Sequence, residues 1–208
     1  MKTLDLFKTP IFTDVMHLDR ERLETKIRKF SKETKNLNYI SNVGGFQGDD
    51  FRDEKFTEAL KNVLPISEEH PLKNIRAHVW ANINGTGHSN SRHHHFVNEP
   101  SMWMSGVYYV KVHPAAGGRI RFWDPRGPWV RPMFDHLYYG GKGGGGDVYV
   151  IQPHDGMVIF FPPWLEHDVE PNMSKKDRIS ISFNIHAFPD GVNIEEYLSM
   201  RKKSQDFW

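Results

Sequence analysis

The 208-residue sequence contains no cysteine. This absence excludes disulfide bonds, iron–sulfur clusters, thiolate metal ligands and cysteine nucleophiles. Any metal ion that the chain binds must therefore be held by nitrogen and oxygen atoms. A chain without cysteine also agrees with a reducing compartment such as the cytosol.

The sequence also lacks a large net charge and a long apolar run. Its 27 basic and 26 acidic residues leave a formal net charge of +1, so no global field draws the chain to nucleic acid or to an anionic membrane. The longest apolar run, Met157 to Phe161, is far shorter than the ~20 residues that span a bilayer. The first residues show no secretory signal pattern. We therefore expect a cytoplasmic protein with neither a membrane partner nor a nucleic-acid partner.

The length of the chain predicts a single domain over residues 1–208, because domains commonly run to ~100–200 residues. The composition changes along this domain. Residues 1–73 are rich in charged and helix-forming residues, which predicts a supporting helical segment. Residues 74–190 contain short runs of β-branched and aromatic residues, which predict the β-stranded catalytic core. Residues 191–208 have the polar texture of a C-terminal helical tail.

Two helices and six strands are predicted within these segments. Apolar residues at helical spacing in charged surroundings predict helices over Leu18–Lys35 and Asp53–Val63. The predicted strands are Arg76–Asn84, Met104–Val112, Arg119–Trp123, Val148–Gln152, Gly156–Phe161 and Arg178–His186. Short strands at this spacing indicate an all-β sandwich or barrel.

A glycine-rich stretch, Gly140–Gly146, is not followed by the Gly-Lys-Ser/Thr ending of a phosphate-binding loop. We expect it to be a mobile loop of the barrel.

Histidine is abundant, with 12 residues in the chain. In an extended segment alternate side chains share a face, so His93 and His95 can clamp one metal ion while His94 points elsewhere. His167, which follows an apolar strand and a Pro-Pro turn, is the best candidate for a third ligand. Three imidazoles suit iron, zinc, copper or nickel. Ordinary surface histidines are the alternative that the spacing leaves open.

The segment from Arg178 to Asn184 alternates polar and apolar residues without exception. A strand with this pattern has one wet or ligand-binding face. Either it is an edge strand with a solvated polar face, or its apolar face lies under the N-terminal helices. In the second case Arg178 lines a pocket, where its guanidinium can bind a carboxylate and Ser180 can add a hydrogen bond.

These residues resemble the iron(II)/2-oxoglutarate-dependent oxygenase superfamily, whose signature is His-x-Asp/Glu, a distant His and then an Arg, often as Arg-x-Ser. His167 and Arg178 lie 11 positions apart, which is the usual interval, and Arg178-Ile179-Ser180 matches the triplet. More specifically, five stretches resemble a prolyl-hydroxylase-like branch: Trp80–Asn84, Ser105–Tyr109, Phe122–Arg126, Pro153–Gly156 and Phe160–Trp164. In this chain His95 stands where the family usually has a carboxylate ligand.

The resemblance implies a mainly β fold, a double-stranded β-helix (jelly roll, cupin-like barrel) with flanking N-terminal helices and a C-terminal helix. It implies iron(II) bound by His93, His95 and His167, with 2-oxoglutarate and dioxygen as cosubstrates. The implied 2-oxoglutarate contacts are Arg178, Ser180, Tyr109 and Asn184. The expected reaction is hydroxylation of a peptidyl (prolyl-like) or small-molecule substrate, with release of succinate and carbon dioxide.

Further groups are expected near the metal or the substrate, because metal-bound histidines usually donate their second nitrogen to an acceptor. The candidates are Asn82, Asn84, Asp124, Arg126 and Trp164. Four tryptophans could form an aromatic rim at the mouth of the barrel: Trp103, Trp123, Trp129 and Trp164.

Two other functions are compatible with the same residues. Three histidines can make a water-activating zinc site, which would characterise a hydrolase or lyase. The same barrel can also serve as a non-enzymatic, cupin-like module that binds a metal or a small acid.

Overall fold

A computed structural model describes residues 8–37, 41–66, 74–95, 101–113, 117–126 and 148–188. The predicted glycine-rich loop and the predicted C-terminal helical tail lie outside the described residues, as does Trp129. Among the residues described, no helix is long and apolar enough to cross a membrane.

Both predicted N-terminal helices are present. Helix α1 spans Arg20–Glu33 and helix α2 spans Glu54–Asn62. Each begins after an aspartate whose carboxylate accepts a hydrogen bond from a backbone N–H of the first turn, which stabilises the helix end. These caps are Asp19, bonded to the N–H of Arg22 at 3.0 Å, and Asp53, bonded to that of Phe56 at 2.9 Å.

Eleven antiparallel strands in the described residues form two sheets. The strands are β1 Phe12–Val15, β2 Asn42–Val43, β3 Phe46–Gly48, β4 Asn74–Asn84, β5 Ser89–His93, β6 Met102–Lys111, β7 Ile120–Trp123, β8 Val148–Ile151, β9 Met157–Phe161, β10 His167–Val169 and β11 Arg178–Phe188. One sheet has the order β1-β9-β6-β11-β4-β3, and the other has the order β2-β5-β10-β7-β8.

From β4 to β11 consecutive strands lie in different sheets, except that β7 and β8 are neighbours in the five-stranded sheet. Non-consecutive strands become neighbours in this way, which is the connectivity of a jelly roll. The prediction of a double-stranded β-helix with N-terminal helices is therefore confirmed. All six predicted strands exist. Five further strands, β1, β2, β3, β5 and β10, were not predicted, because each is five residues or shorter and lacks a clear apolar alternation.

Two apolar cores hold the layers together. The outer core packs the helices against the six-stranded sheet, and the apolar residues Ile179, Ile181 and Phe183 of β11 belong to it. The inner core lies between the sheets and includes Phe122 and Phe161. The apolar face of β11 thus lies under the helices, which is the second of the two alternatives for this strand, and its polar face points between the sheets.

Asp53 joins helix α1 to helix α2. Its carboxylate is 2% exposed, pairs with Arg22 at 2.6 Å and with Lys26 at 2.9 Å, and also caps α2. We expect Asp53→Ala to lower the free energy of unfolding at pH 7 by about 2 kcal/mol, because a helix cap and charged hydrogen bonds are lost together. Urea unfolding measures the change, and Glu33→Ala, which removes an exposed pair with Lys29, should have little effect.

The stabilisation of the folded state by Asp53 should depend on pH. The Arg22 guanidinium holds the pKa of Asp53 well below its usual range. The unfolded chain therefore takes up a proton first, so the stabilisation is present above about pH 4 and is lost as the pH falls further. The stability gap between the wild type and Asp53→Ala should narrow at pH 3, and a gap as wide as at pH 7 would contradict this role.

Candidate metal centre

Adjacent strands of the five-stranded sheet bring two of the predicted ligands together. In the antiparallel pair β5 and β10, His93 lies directly opposite His167. The residues on either side of His167, Glu166 and Asp168, do not line the cavity and pair with Arg92 and Arg121 respectively. His95 follows just after β5, and its backbone N–H donates to the carbonyl of Pro163 at 2.8 Å.

The three histidine rings converge on one point. Their ligand atoms lie within 4.8 Å of one another, and the Nε2 atoms of His93 and His95 are 3.3 Å apart. Among the described residues, His94 does not belong to this cluster.

Each ring uses its other nitrogen to hold its orientation. The three Nδ1 atoms lie against acceptors: His93 against the carbonyl of Ser91 at 2.7 Å, His167 against that of Leu165 at 2.9 Å, and His95 against Oδ1 of Asn184 at 2.8 Å. An Nδ1–H that donates to these acceptors leaves the Nε2 lone pair free. This is the tautomer that a metal ion requires.

Electrostatics also favour a bound cation at this point. Burial lowers the pKa of His93, lowers that of His95 to about 3, and lowers that of His167 well below its usual value. All three rings are therefore neutral at pH 7, and lone pairs 3.3 Å apart repel each other. Two nitrogen ligands at ~2.1 Å from one ion and at right angles lie ~3.0 Å apart, so the cluster fits a divalent transition metal.

A cavity of about 290 Å³ opens beside the cluster, between the two sheets. The polar residues of β11 line it, and so does Tyr109 from β6. The edge-strand alternative for β11 is thereby excluded, since β11 pairs on one side with β4 and on the other with β6.

Arg178 is a buried cation without a counter-ion. It is 5% exposed, and no Asp or Glu among the described residues forms an ion pair with it. Its Nη1 donates to the carbonyl of Gly118 at 3.2 Å and its Nη2 to Oδ1 of Asn84 at 3.4 Å, while Nε has no partner. Burial of a charge in this state is costly, so an anion would complete the site.

Tyr109 adds an unsatisfied donor beside Arg178. Its ring centroid lies 5.9 Å from the guanidinium carbon, and its buried hydroxyl has no hydrogen-bond partner. Burial raises the pKa of Tyr109 to about 12, so the hydroxyl keeps its proton at pH 7. A carboxylate placed here could accept hydrogen bonds from both side chains.

Asn184 lines the cavity beside the metal centre. Its side-chain oxygen contacts the ring of His95 and accepts a hydrogen bond from Ser105 at 2.7 Å. These contacts are those of a group that positions His95.

Three further predicted groups do not line the cavity. Asp124 and Arg126 pair with each other at 2.7 Å within an exposed turn, because a carboxylate and a guanidinium two positions apart readily meet locally. Trp164 is 43% exposed and is absent from the cavity wall. Of the other candidates, Asn82 lines the cavity and donates to Ser182 at 3.0 Å, and Asn84 contacts Arg178.

The aromatic rim that we predicted is not present among the described residues. Trp103 packs against the outer core, and Trp123 is held by Asp168 and by the guanidinium of Arg92 at 4.2 Å. The tryptophan that does line the cavity is Trp80. Gln47 and Ser105 were also missed as site residues, although Ser105 lies in a stretch that resembles the family.

The sequence comparison identifies the family. Residues 78–184, just over half of the chain, match the 2OG-Fe(II) oxygenases. The chain belongs to the 2OG-Fe(II) oxygenase family. This oxygenase is therefore an oxidoreductase that uses iron(II), 2-oxoglutarate and dioxygen. The three-histidine cluster and the unpaired Arg178 fit a metal ion and a dicarboxylate respectively.

Solved structures share the fold of the oxygenase at low sequence identity. A prolyl-4-hydroxylase from Pseudomonas putida is 14% identical with a TM-score of 0.62, over 89% of this chain and 96% of that one. A Trichoplax adhaerens prolyl hydroxylase, solved with a peptide of the oxygen degradation domain of hypoxia inducible factor, is 12% identical with a TM-score of 0.58, over 85% and 83%.

The epimerase SnoN of nogalamycin biosynthesis, which is α-ketoglutarate dependent, is also 12% identical with a TM-score of 0.58, over 88% and 80% of the two chains. No curated protein gives a significant sequence match.

Removal of one histidine should abolish metal binding by the oxygenase. We expect His167→Ala to lose stoichiometric iron(II), because two neutral imidazoles alone leave the ion weakly held. The measurement is the metal content of the protein after anaerobic loading and desalting. His154→Ala, which removes an exposed histidine away from the cluster, should retain the metal, and full iron content in His167→Ala would refute the ligand set.

Proposed function

We propose that this oxygenase hydroxylates a peptidyl (prolyl-like) or small-molecule substrate and converts 2-oxoglutarate to succinate and carbon dioxide. The observation that carries the proposal is the buried, unpaired Arg178 with the free hydroxyl of Tyr109 in the cavity that the three histidines line. A dicarboxylate can satisfy both ends of such a cavity at once, one end at the metal and the other at the guanidinium.

In this proposal His93, His95 and His167 hold the iron, and Arg178, Ser180 and Tyr109 hold the distal carboxylate of 2-oxoglutarate. Asn184 is assigned to the orientation of His95. Bound iron(II) would activate dioxygen, and the oxidation of 2-oxoglutarate and of the substrate would supply the electrons that reduce it. The chain itself supplies fixed ligand geometry, a buried cation for the cosubstrate and a wall of apolar residues that excludes water.

Charge balance supports 2-oxoglutarate as the ligand. Three neutral imidazoles leave the full double positive charge on the metal ion, and Arg178 adds another positive charge in the same cavity. The doubly charged anion compensates for most of this charge, which raises its affinity in a low-dielectric site. A zinc hydrolase would have no use for the Arg178 and Tyr109 pair.

The substrate class is inferred from relatives of the same fold. Two of the similar structures are prolyl hydroxylases, one of them bound to a peptide, and a third is an epimerase of antibiotic biosynthesis. They support peptidyl and small-molecule substrates respectively, which is why the proposal includes both.

Arg178 should govern the affinity for 2-oxoglutarate without affecting the metal. We expect Arg178→Ala to weaken 2-oxoglutarate binding roughly 10- to 150-fold, because a hydrogen bond to a charged group contributes ~1.5–3 kcal/mol. Anaerobic titration of the iron(II) protein, followed by the weak visible absorption band of the chelate, measures this affinity.

Arg119→Ala is the matched control, since Arg119 pairs with Glu170 on the surface. It should titrate like the wild type. A wild-type protein that binds iron but shows no band with 2-oxoglutarate would contradict the proposed function, and an unchanged affinity in Arg178→Ala would contradict the assigned carboxylate site.

Tyr109→Phe should change stability and affinity in opposite directions. In the ligand-free protein the buried hydroxyl has no partner, so its removal should raise the melting temperature, since an unsatisfied buried group costs ~1–3 kcal/mol. The same substitution should weaken 2-oxoglutarate binding. Calorimetric melting without ligand and the anaerobic titration together test both effects, and a lower melting temperature with unchanged affinity would show that Tyr109 is only a packing residue.

A further inference from the structure

A second polar wall of the cavity is formed by the edge of the six-stranded sheet. Gln47 of β3 lies opposite Asn82 of β4, is 5% exposed and lines the cavity. Its side-chain Oε1 is buried and has no hydrogen-bond partner. Its backbone N–H is fixed by Asn36 at 2.8 Å. The sheet thus holds an unsatisfied acceptor at a set place in the cavity.

Trp80 provides an apolar surface between this acceptor and the metal centre. It lies two positions before Asn82 on β4, and alternate residues of a strand share a face. Its ring centroid is 5.5 Å from that of His95, at an interplanar angle of 62°. A group that packs on Trp80 therefore lies next to a proposed metal ligand.

One carboxylate also lines this side of the cavity. His78, also on β4, contacts the Asp49 carboxylate at 2.6 Å, and both side chains are about half exposed. Under the proposed function the charge of Arg178 is used by 2-oxoglutarate. Within the described part of the wall, the buried atom without a hydrogen-bond partner on this side is Oε1 of Gln47.

A neutral acceptor of this kind is satisfied by an N–H or O–H donor of a substrate. The peptidyl substrate proposed above offers its amide N–H as such a donor.

We infer that Gln47 and Trp80 form the substrate subsite, and that it takes an uncharged, peptide-like amide. The amide N–H donates to Oε1 of Gln47 while the adjoining aliphatic group packs on Trp80 beside His95. This inference rests on the proposed function, since it places the oxidised carbon next to the metal centre.

Two probes of equal size isolate the hydrogen bond. N-acetyl-L-proline methylamide carries the N–H donor, and N-acetyl-L-proline methyl ester replaces it with oxygen. Binding to the zinc-loaded protein saturated with 2-oxoglutarate, where no turnover occurs, can be followed by ligand-observed NMR. The wild type should bind the ester roughly tenfold more weakly than the methylamide, because the ester leaves the buried acceptor unpaired.

A pair of glutamine variants tests the residue itself. Gln47→Leu should bind the methylamide as weakly as the ester, with no change for the ester. Gln152→Leu removes an exposed glutamine outside the cavity and should keep the tenfold difference.

Equal affinities of the two probes for the wild type would overturn the hydrogen bond to Gln47, and so would an undiminished difference in Gln47→Leu. Failure of both probes to bind would overturn the peptide-like class. The affinity for 2-oxoglutarate is measured on the same samples. A wild type that does not bind 2-oxoglutarate would contradict the proposed function, whereas a wild type that binds it would confine the failure to the substrate subsite. The probe comparison in the wild type needs no variant to fold.

Discussion

The placement of strand β11 between β4 and β6 is the constraint on which the structure depends. All of its 11 residues are in register with β4, so every side chain has a fixed face. One face supplies Ile179, Ile181 and Phe183 to the core beneath the helices, and the other presents Arg178 and its polar neighbours to the cavity. A slip of one residue would exchange these faces. The apolar core that stabilises the fold therefore also fixes the orientation of the polar face of β11, which lines the cavity.

This arrangement leaves a site that is incomplete without its ligands. Three neutral imidazoles direct lone pairs at one another, and a guanidinium and a phenol are buried without an anion. Each of these features costs folding free energy in the free protein. Ligands that complete the site recover that cost and stabilise the folded state by mass action. The preorganised polar groups also need little rearrangement when the cosubstrate binds, which favours catalysis.

Local sequence patterns predicted most of the fold and the three histidines that cluster in it. The alternation of β11 and the spacing of His93 and His95 are short-range signals, and both predicted the face on which the side chains lie. Long-range contacts were not predictable in this way. Asn184 meets His95 across 89 positions of sequence, and the register that brings Gln47 to the cavity depends on a three-residue strand. Asp124 and Arg126 pair locally in a turn, and sequence alone does not distinguish such a pair from residues of the same types that line a site.

The replacement of the usual carboxylate ligand by His95 has a structural counterpart in its surroundings. A carboxylate ligand would bring charge and could not donate a hydrogen bond, whereas an imidazole needs an acceptor for its second nitrogen. Asn184 supplies that acceptor, and the hydroxyl of Ser105 donates to the same oxygen at 2.7 Å, which fixes it in place. Since Ser105 lies on β6 and Asn184 on β11, His95 is anchored to the six-stranded sheet while His93 and His167 belong to the other. The geometry of the metal centre therefore depends on the spacing of the two sheets, which the inner core between them maintains.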